Sequence, residues 1–379
     1  MRSHLVTAAG ATLCTALAAQ AIPPVVTQWK FNTTGATGYG GIVADVTQVR
    51  YSAQNVYVSC NGVPSYTIGP WPGNPNTPAA GNWVFKLPVN PVPNTGTASN
   101  VGLGHVAVMR DGTVAYNSQD AMSYNNLGIW NRIAWYFERS SFDSCLGHPS
   151  PGREWHPHVI PTCLLGASDA TKHSPLIGYA FDGYPIYGPY GYANANGTGG
   201  IARINSGFRL RNITARTTLP NGTVLSPSQY GPAIGGSYPL GCFVEDWEFV
   251  AGQGLDVHNG RMCVTPEYPS GTYAYFVTVD ATMTPVYPYI LGPTYYGVVT
   301  AGNTGPTGGH NSPGSGETVT TFTGSACPAD IDGNRIVDGA DLGTLLANWG
   351  GGGAGDLDRN GIVDGADLGV LLSAWGNCP

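Results

Sequence analysis

Charge is what this sequence has least of: Asp, Glu, Lys and Arg together make up 10% of its 379 residues. Sixteen basic against 23 acidic residues leave a net charge of -7 with no basic stripe, so no nucleic-acid partner is expected. The excess acid is concentrated, because Ala326 to Pro379 carry eight Asp and two Arg. Long apolar runs are missing too. Beyond the first 21 residues nothing approaches the roughly 20 continuous apolar residues of a membrane helix, so no membrane span is expected. Gly-x-Ser-x-Gly and His-Glu-x-x-His are both absent, which removes two well-marked hydrolase signatures. Asp143, Glu154, Asp182, Glu245, Asp246 and Glu248 supply carboxylates without a recognisable glycosidase pair.

The opening "MRSHLVTAAGATLCTALAAQA" has a basic start at Arg2, an apolar middle and small residues at Ala19 and Ala21. Residues 1–21 therefore read as an export leader, and the protein as secreted, extracellular or at the cell surface. No Leu-x-Gly-Cys pattern surrounds Cys14, which argues against a lipid anchor. With 55 Gly, 30 Pro and 21 Tyr, the composition is turn-rich and leans to β structure. Stretches such as "VTQVRYS", "QNVYVSC", "NWVFKLP" and "GTYAYFVTVD" are β-branched and aromatic between Gly, Pro and Asn, and Asp111-Gly112 marks a hairpin turn. The expected fold is a mainly β, sandwich-like domain over 22–299, stapled by disulfides, with one short helix near "SPSQYG". Residues 300–325, mostly Gly, Thr, Ser and Pro, predict a flexible linker in which His310 is simply solvated.

Once Cys14 leaves with the leader, seven cysteines remain. Export favours local bridges between Cys145 and Cys163, Cys242 and Cys263, and Cys327 and Cys378, with Cys60 left over. The first pair brackets "SCLGHPSPGREWHPHVIPTC", residues 144–163, which holds His148, His156 and His158. In an extended segment His156 and His158 project to one face, and the bridge brings His148 near them. Neutral imidazoles of this kind suit zinc, copper or iron, with His173, Asp182 and Glu154 as further candidates for the site. The alternative is a stapled loop whose rings merely hydrogen-bond backbone carbonyls. His105 and His258 read as ordinary packed or surface residues. Tyr184, Tyr187, Tyr190 and Tyr192 form either an aromatic corner of the β domain or a platform for a sugar-like ligand.

The tail, 326–379, repeats itself: "DIDGNRIVDGADLGTLLANWG" from Asp330 and "DLDRNGIVDGADLGVLLSAWG" from Asp356. Each unit places oxygen ligands at positions 1, 3, 5, 9 and 12 of a 12-residue loop. They are Asp330, Asp332, Asn334, Asp338 and Asp341, then Asp356, Asp358, Asn360, Asp364 and Asp367, a calcium pattern. Position 6 is Gly361 in the second loop but Arg335 in the first, so the first site is expected to be the weaker. Leu342, Leu345, Leu346 and Trp349, and then Leu368, Leu371, Leu372 and Trp375, predict two short helices whose apolar faces pack together.

This duplicated loop and helix resembles the type I dockerin family, a small α-helical EF-hand-type module. The resemblance implies calcium and a cohesin-like or cell-surface docking partner. It departs from that family at loop positions 10 and 11, where Gly339, Ala340, Gly365 and Ala366 replace the usual hydroxyl-bearing pair. Over residues ~50–280, "VSCNGVPSYTIGPWPGNPNTP", "CLGHPSPGREWHPH" and "KHSPLIGYAFDGYPIYGPYGY" together resemble the YHYH family of exported proteins. At the naming motif the chain has Trp155-His156-Pro157-His158, so both histidines are kept while the aromatics become Trp and Pro. That resemblance brings no reaction with it. The expected function is a secreted, His-based metal- or ligand-binding β domain tethered to a calcium-binding docking module. The alternatives are an extracellular enzyme or binding protein in polysaccharide breakdown, with a carbohydrate ligand, and a structural cell-envelope protein. Whether it is an enzyme is left open.

Overall fold

The computed structural model describes residues 22–322, 328–331, 336–357 and 361–377. The predicted leader, Cys327, Cys378, Asp332, Asn334, Asp358 and Asn360 lie outside them.

The protein is mainly β. Four antiparallel strands form one sheet in the order Thr320–Phe322, Val46–Tyr51, Asn55–Cys60, Trp83–Pro88. Six more form a second sheet, ordered Gly260–Cys263, Thr272–Phe276, Pro185–Tyr187, Leu176–Ala180, Ala107–Met109, Val114–Ala115. In the second sheet only the Pro185–Tyr187 and Thr272–Phe276 pair is parallel. Val49, Val56, Val58, Phe85 and Leu87 from the first sheet share one apolar core with Val108, Leu176, Tyr179, Tyr187 and Phe276 from the second. The opposite face of the second sheet is covered as well, with Ile177, Ala180, Ile186 and Tyr275 packed against Ile160, Tyr289 and Leu291. Burial on both faces explains why "LIGYA" shows no apolar-polar alternation. The Asp111-Gly112 turn forms as expected: Gly112 has φ 77°, and Asp111 accepts the Thr113 amide at 3.1 Å and its hydroxyl at 2.7 Å.

Two expectations fail and a third holds only in part. Cys242 and Cys263 do not pair; both are buried free thiols, as is Cys60. Cys242 packs with Trp130 and Phe243, whereas Cys263 belongs to the core between the two sheets, so tertiary packing separates two residues that are local in sequence. Residues 300–322, read as flexible linker, instead strap the four-stranded sheet. Thr320–Phe322 completes its edge, and Glu317 accepts from Ser52 Oγ at 2.6 Å, Asn55 Nδ2 at 2.9 Å and Tyr57 OH at 2.6 Å. Buried Asn303 accepts the Lys86 amide and donates to its carbonyl, while Asn311 donates to the Val84 carbonyl. Short polar side chains that satisfy a strand's backbone groups hold most of the strap, and Phe322 packs against the core at its end. His310 is exposed, although its backbone bridges to Val84.

The third concerns the tail. Its two helices, Gly339–Ala347 and Gly365–Ser373, form with Asp338 and Asp364 as N-caps. Leu345 and Leu371 join Ala329, Val337 and Val363 in a small core with Leu342 and Leu368 at its margin. Leu346, Trp349, Leu372 and Trp375 stay outside it, each about half exposed at 49–53%.

Candidate metal centre

The stretch 144–163 folds as a hairpin, Gly147–Pro149 against Trp155–Pro157, with His148 directly opposite His156. The predicted Cys145–Cys163 disulfide closes it. Beneath it lies Asp143, whose carboxylate accepts the amides of Gly69, Cys145 and Gly147 and the indole N–H groups of Trp71 and Trp155. The Trp155 bond, 2.9 Å long and fully buried, gives a physical reason why an aromatic with a ring donor stands before His156. Gly147 has to be glycine: an added Cβ would sit 2.4 Å from the Trp155 ring.

Pro157 keeps the strand extended, so His156 and His158 emerge on one face with their Nε2 atoms 3.1 Å apart. Each ring is oriented from its other nitrogen. His156 Nδ1 meets the Glu154 carbonyl at 3.1 Å, and His158 Nδ1 meets the Asn117 carbonyl at 2.6 Å. A carbonyl only accepts, so both Nδ1 atoms carry the ring proton and both Nε2 atoms present lone pairs. His148 Nδ1 lies 2.8 Å from Ser141 Oγ, whose own proton goes to the Glu138 carbonyl at 2.8 Å, so this Nε2 is a lone pair as well. Among the described residues these three form the one group of three or more His, Cys, Asp or Glu suited to an ion, with one ligand atom from each mutually within 4.8 Å.

All three histidines are at most 5% exposed. Burial disfavours their charged forms, lowering His148 to about 3 and His158 to about 4 and taking His156 well below its ordinary value, with the neighbouring histidines adding to the effect on His148 and His156. The Tyr116 ring stacks on His156 at 3.7 Å, and Phe142 packs edge-on to His148 at 4.7 Å. The rings thus sit neutral in an aromatic cup, the protonation state that metal binding requires.

The sequence candidates divide. His148, His156 and His158 come together. Glu154 serves through its backbone carbonyl, while its carboxylate turns to Ser150 and lies 3.9 Å from His105 Nε2. His173 is elsewhere, among Tyr187, Tyr192 and Phe276, with Nδ1 on the Ser174 carbonyl. Asp182 is a fully buried acceptor for Tyr275 OH at 2.5 Å and the Gly297 amide at 2.8 Å, and burial raises its carboxyl to about 6. Tyr184 and Tyr187 are buried, and among the described residues no ring of the four-tyrosine set contacts a histidine of the cluster.

One acid at the site escaped sequence reading. Glu138, just after the short helix Ala134–Phe137, places Oε2 3.4 Å from His158 Nε2 and 3.7 Å from His148 Nε2. That oxygen is buried and has no hydrogen-bond donor, although the side chain as a whole is 30% exposed. Burial raises the carboxyl to about 7; Asp120 adds to the shift and Arg132 opposes it. Nothing in "WYFERSS" marks this acid, because its place at the site comes from tertiary packing.

In the tail, Asp341 accepts the Ile331 amide at 2.6 Å and the Asp338 amide at 2.9 Å, and Asp367 does the same for Leu357 at 2.6 Å and Asp364 at 2.8 Å. The described acids at loop positions 9 and 12 therefore organise both loops alike.

Compared with known proteins, no curated protein and no solved structure matches the chain. The family model of the YHYH protein matches residues 84–288, which contain the histidine hairpin, its Asp143 base and Glu138. With more than half of its length matched, this chain belongs to the YHYH protein family.

Proposed function

We propose that the YHYH domain binds one transition-metal ion through Nε2 of His148, His156 and His158, and that the tail binds calcium and docks the secreted protein to a surface or assembly. One observation carries the metal reading. Two Nε2 lone pairs, each fixed by a backbone carbonyl behind its ring, face one another at 3.1 Å in a buried site. Leaving such groups without an electrophile costs on the order of 1–3 kcal/mol apiece, whereas a shared cation turns the repulsion into binding. Imidazole donors suit zinc, copper or iron, and the carbonyl partners at Nδ1 hold the rings in the ligating tautomer. For the tail, support comes from the repeated Asp spacing and from Asp338, Asp341, Asp364 and Asp367 ordering the two loops. The docking reading is favoured by the repeated, half-exposed Leu346, Trp349, Leu372 and Trp375.

Elemental analysis of the purified full chain tests both halves, because calcium and transition metals are counted separately. One transition-metal ion per chain is expected, lost in His156→Ala and His158→Ala with calcium unchanged. Equal transition-metal content in wild type and variants would refute the histidine site.

A further inference from the structure

The geometry points to Glu138 as a fourth, exchangeable ligand at this site, and so to the position where a small anionic or oxygen-donor molecule reaches the ion; this rests on the three-histidine reading. Three of the edges come near those of a tetrahedron, and the three histidine ligand atoms lie within 4.8 Å of one another. Ligands bound at 2.0–2.1 Å stand roughly 3.3–3.4 Å from one another. Here the Nε2–Nε2 edge is 3.1 Å, and the edges from Glu138 Oε2 are 3.4 and 3.7 Å.

Electrostatics agree with the distances. The nitrogens facing Oε2 are lone pairs, not donors, and Oε2 has no other partner. Arg132 does not neutralise it by direct contact: its Nε lies 2.7 Å from Asp120 Oδ2 and its guanidinium lies over the Phe137 ring at 4.1 Å. A carboxylate oxygen buried against lone pairs, with Asp120 adding negative charge nearby, is stabilised by a cation in the middle.

Exposure then separates this ligand from the others. The histidine side chains are held by hydrogen bonds at the far nitrogen and are no more than 7% exposed, while the Glu138 side chain is 30% exposed. It is the ligand that can swing out without breaking a second hydrogen bond at Oε2, and its departure opens a coordination position towards solvent. The Glu138 backbone is anchored meanwhile, its amide on the Ala134 carbonyl and its own carbonyl on Ser141 Oγ, so the side chain can exchange while His148 stays oriented.

The test uses the full chain loaded with Co²⁺, whose visible absorption reports coordination, and sodium azide as the small anion. Glu138→Gln should retain one Co²⁺ but bind it at least about ten-fold more weakly, with an altered visible spectrum. Azide should bind this variant more tightly than wild type, because no carboxylate has to be displaced. Glu138→Asp, one methylene shorter with the charge kept, should fall between them, and matching far-ultraviolet circular dichroism checks that the variants fold. Unchanged Co²⁺ affinity and spectrum in Glu138→Gln would overturn the inference while leaving the histidine site standing. Failure of wild type to bind Co²⁺, indistinguishable from His156→Ala, would remove the histidine reading itself.

Discussion

Asp143 and Trp155 show how much of the hairpin rests on single side chains. The Asp143 carboxylate collects five N–H groups from three separate stretches of chain, 69–71, 145–147 and Trp155. Trp155→Phe keeps the ring but removes one of those donors inside a fully buried contact, and hydrogen bonds to a charged partner contribute about 1.5–3 kcal/mol. Thermal unfolding should show destabilisation of about that size, with metal affinity reduced but stoichiometry intact. Trp155→Tyr, which restores an aromatic donor, should recover part of the loss. At this scale the histidines were legible in the sequence, because period-two geometry and a flanking pair of cysteines follow from covalent structure. Glu138 was not, since an acid in an aromatic-rich segment has no spacing that ties it to residues ten and twenty positions on.

The hairpin and the strap are the two elements that most constrain the site and its sheet. The Cys145–Cys163 bridge spans 18 residues, and closing a loop of that size stabilises by about 3 kcal/mol in the chain-entropy description. The double change to serine should lower the melting temperature and weaken the proposed metal site, because His148 is then held to His156 by backbone pairing alone. The strap responds to pH through Glu317. Hydrogen bonds from Ser52, Tyr57 and Asn55 lower its carboxyl to about 2, below its value in an unfolded chain. Its contribution is therefore present above the unfolded carboxylate range near pH 4.3 and is lost as pH falls towards 2. Amide exchange over residues 314–322, corrected for intrinsic rates, should accelerate between pH 5 and pH 2.5, and Glu317→Gln should abolish most of that difference. The strap was misread because its Gly, Thr and Ser composition is that of a linker. Its order comes from Asn303, Asn311 and Glu317 meeting strand edges more than 200 residues away in sequence.

For the whole molecule, the prediction concerns the two Asp-rich loops proposed to bind calcium. Gly361 adopts φ 91°, a left-handed conformation that glycine reaches without strain, and donates its amide to Asp356 Oδ2 at 2.9 Å. The corresponding residue in the first loop is Arg335, so two calcium-binding steps of unequal affinity are expected in calorimetric titration of the full chain. Asp367→Ala should abolish the tighter step and Asp341→Ala the weaker one, while both leave the transition-metal content unchanged. A single step, or two equal ones, would contradict this order.

The sequence by itself determined what local covalent rules and periodicity decide: a mainly β chain, the Asp111-Gly112 turn, the bridge across the histidine hairpin, and His156 and His158 on one face. It also determined the two tail helices, because the i, i+3, i+4 pattern acts within a few residues. Only the tertiary structure decided that Cys242 and Cys263 stay apart, that 300–322 becomes a strap and that Asp182 and His173 belong elsewhere. It alone brings Glu138, Asn117 and Ser141 to the three rings. These outcomes depend on which buried polar groups find partners across long stretches of chain, and pairing of that kind leaves no period in the sequence.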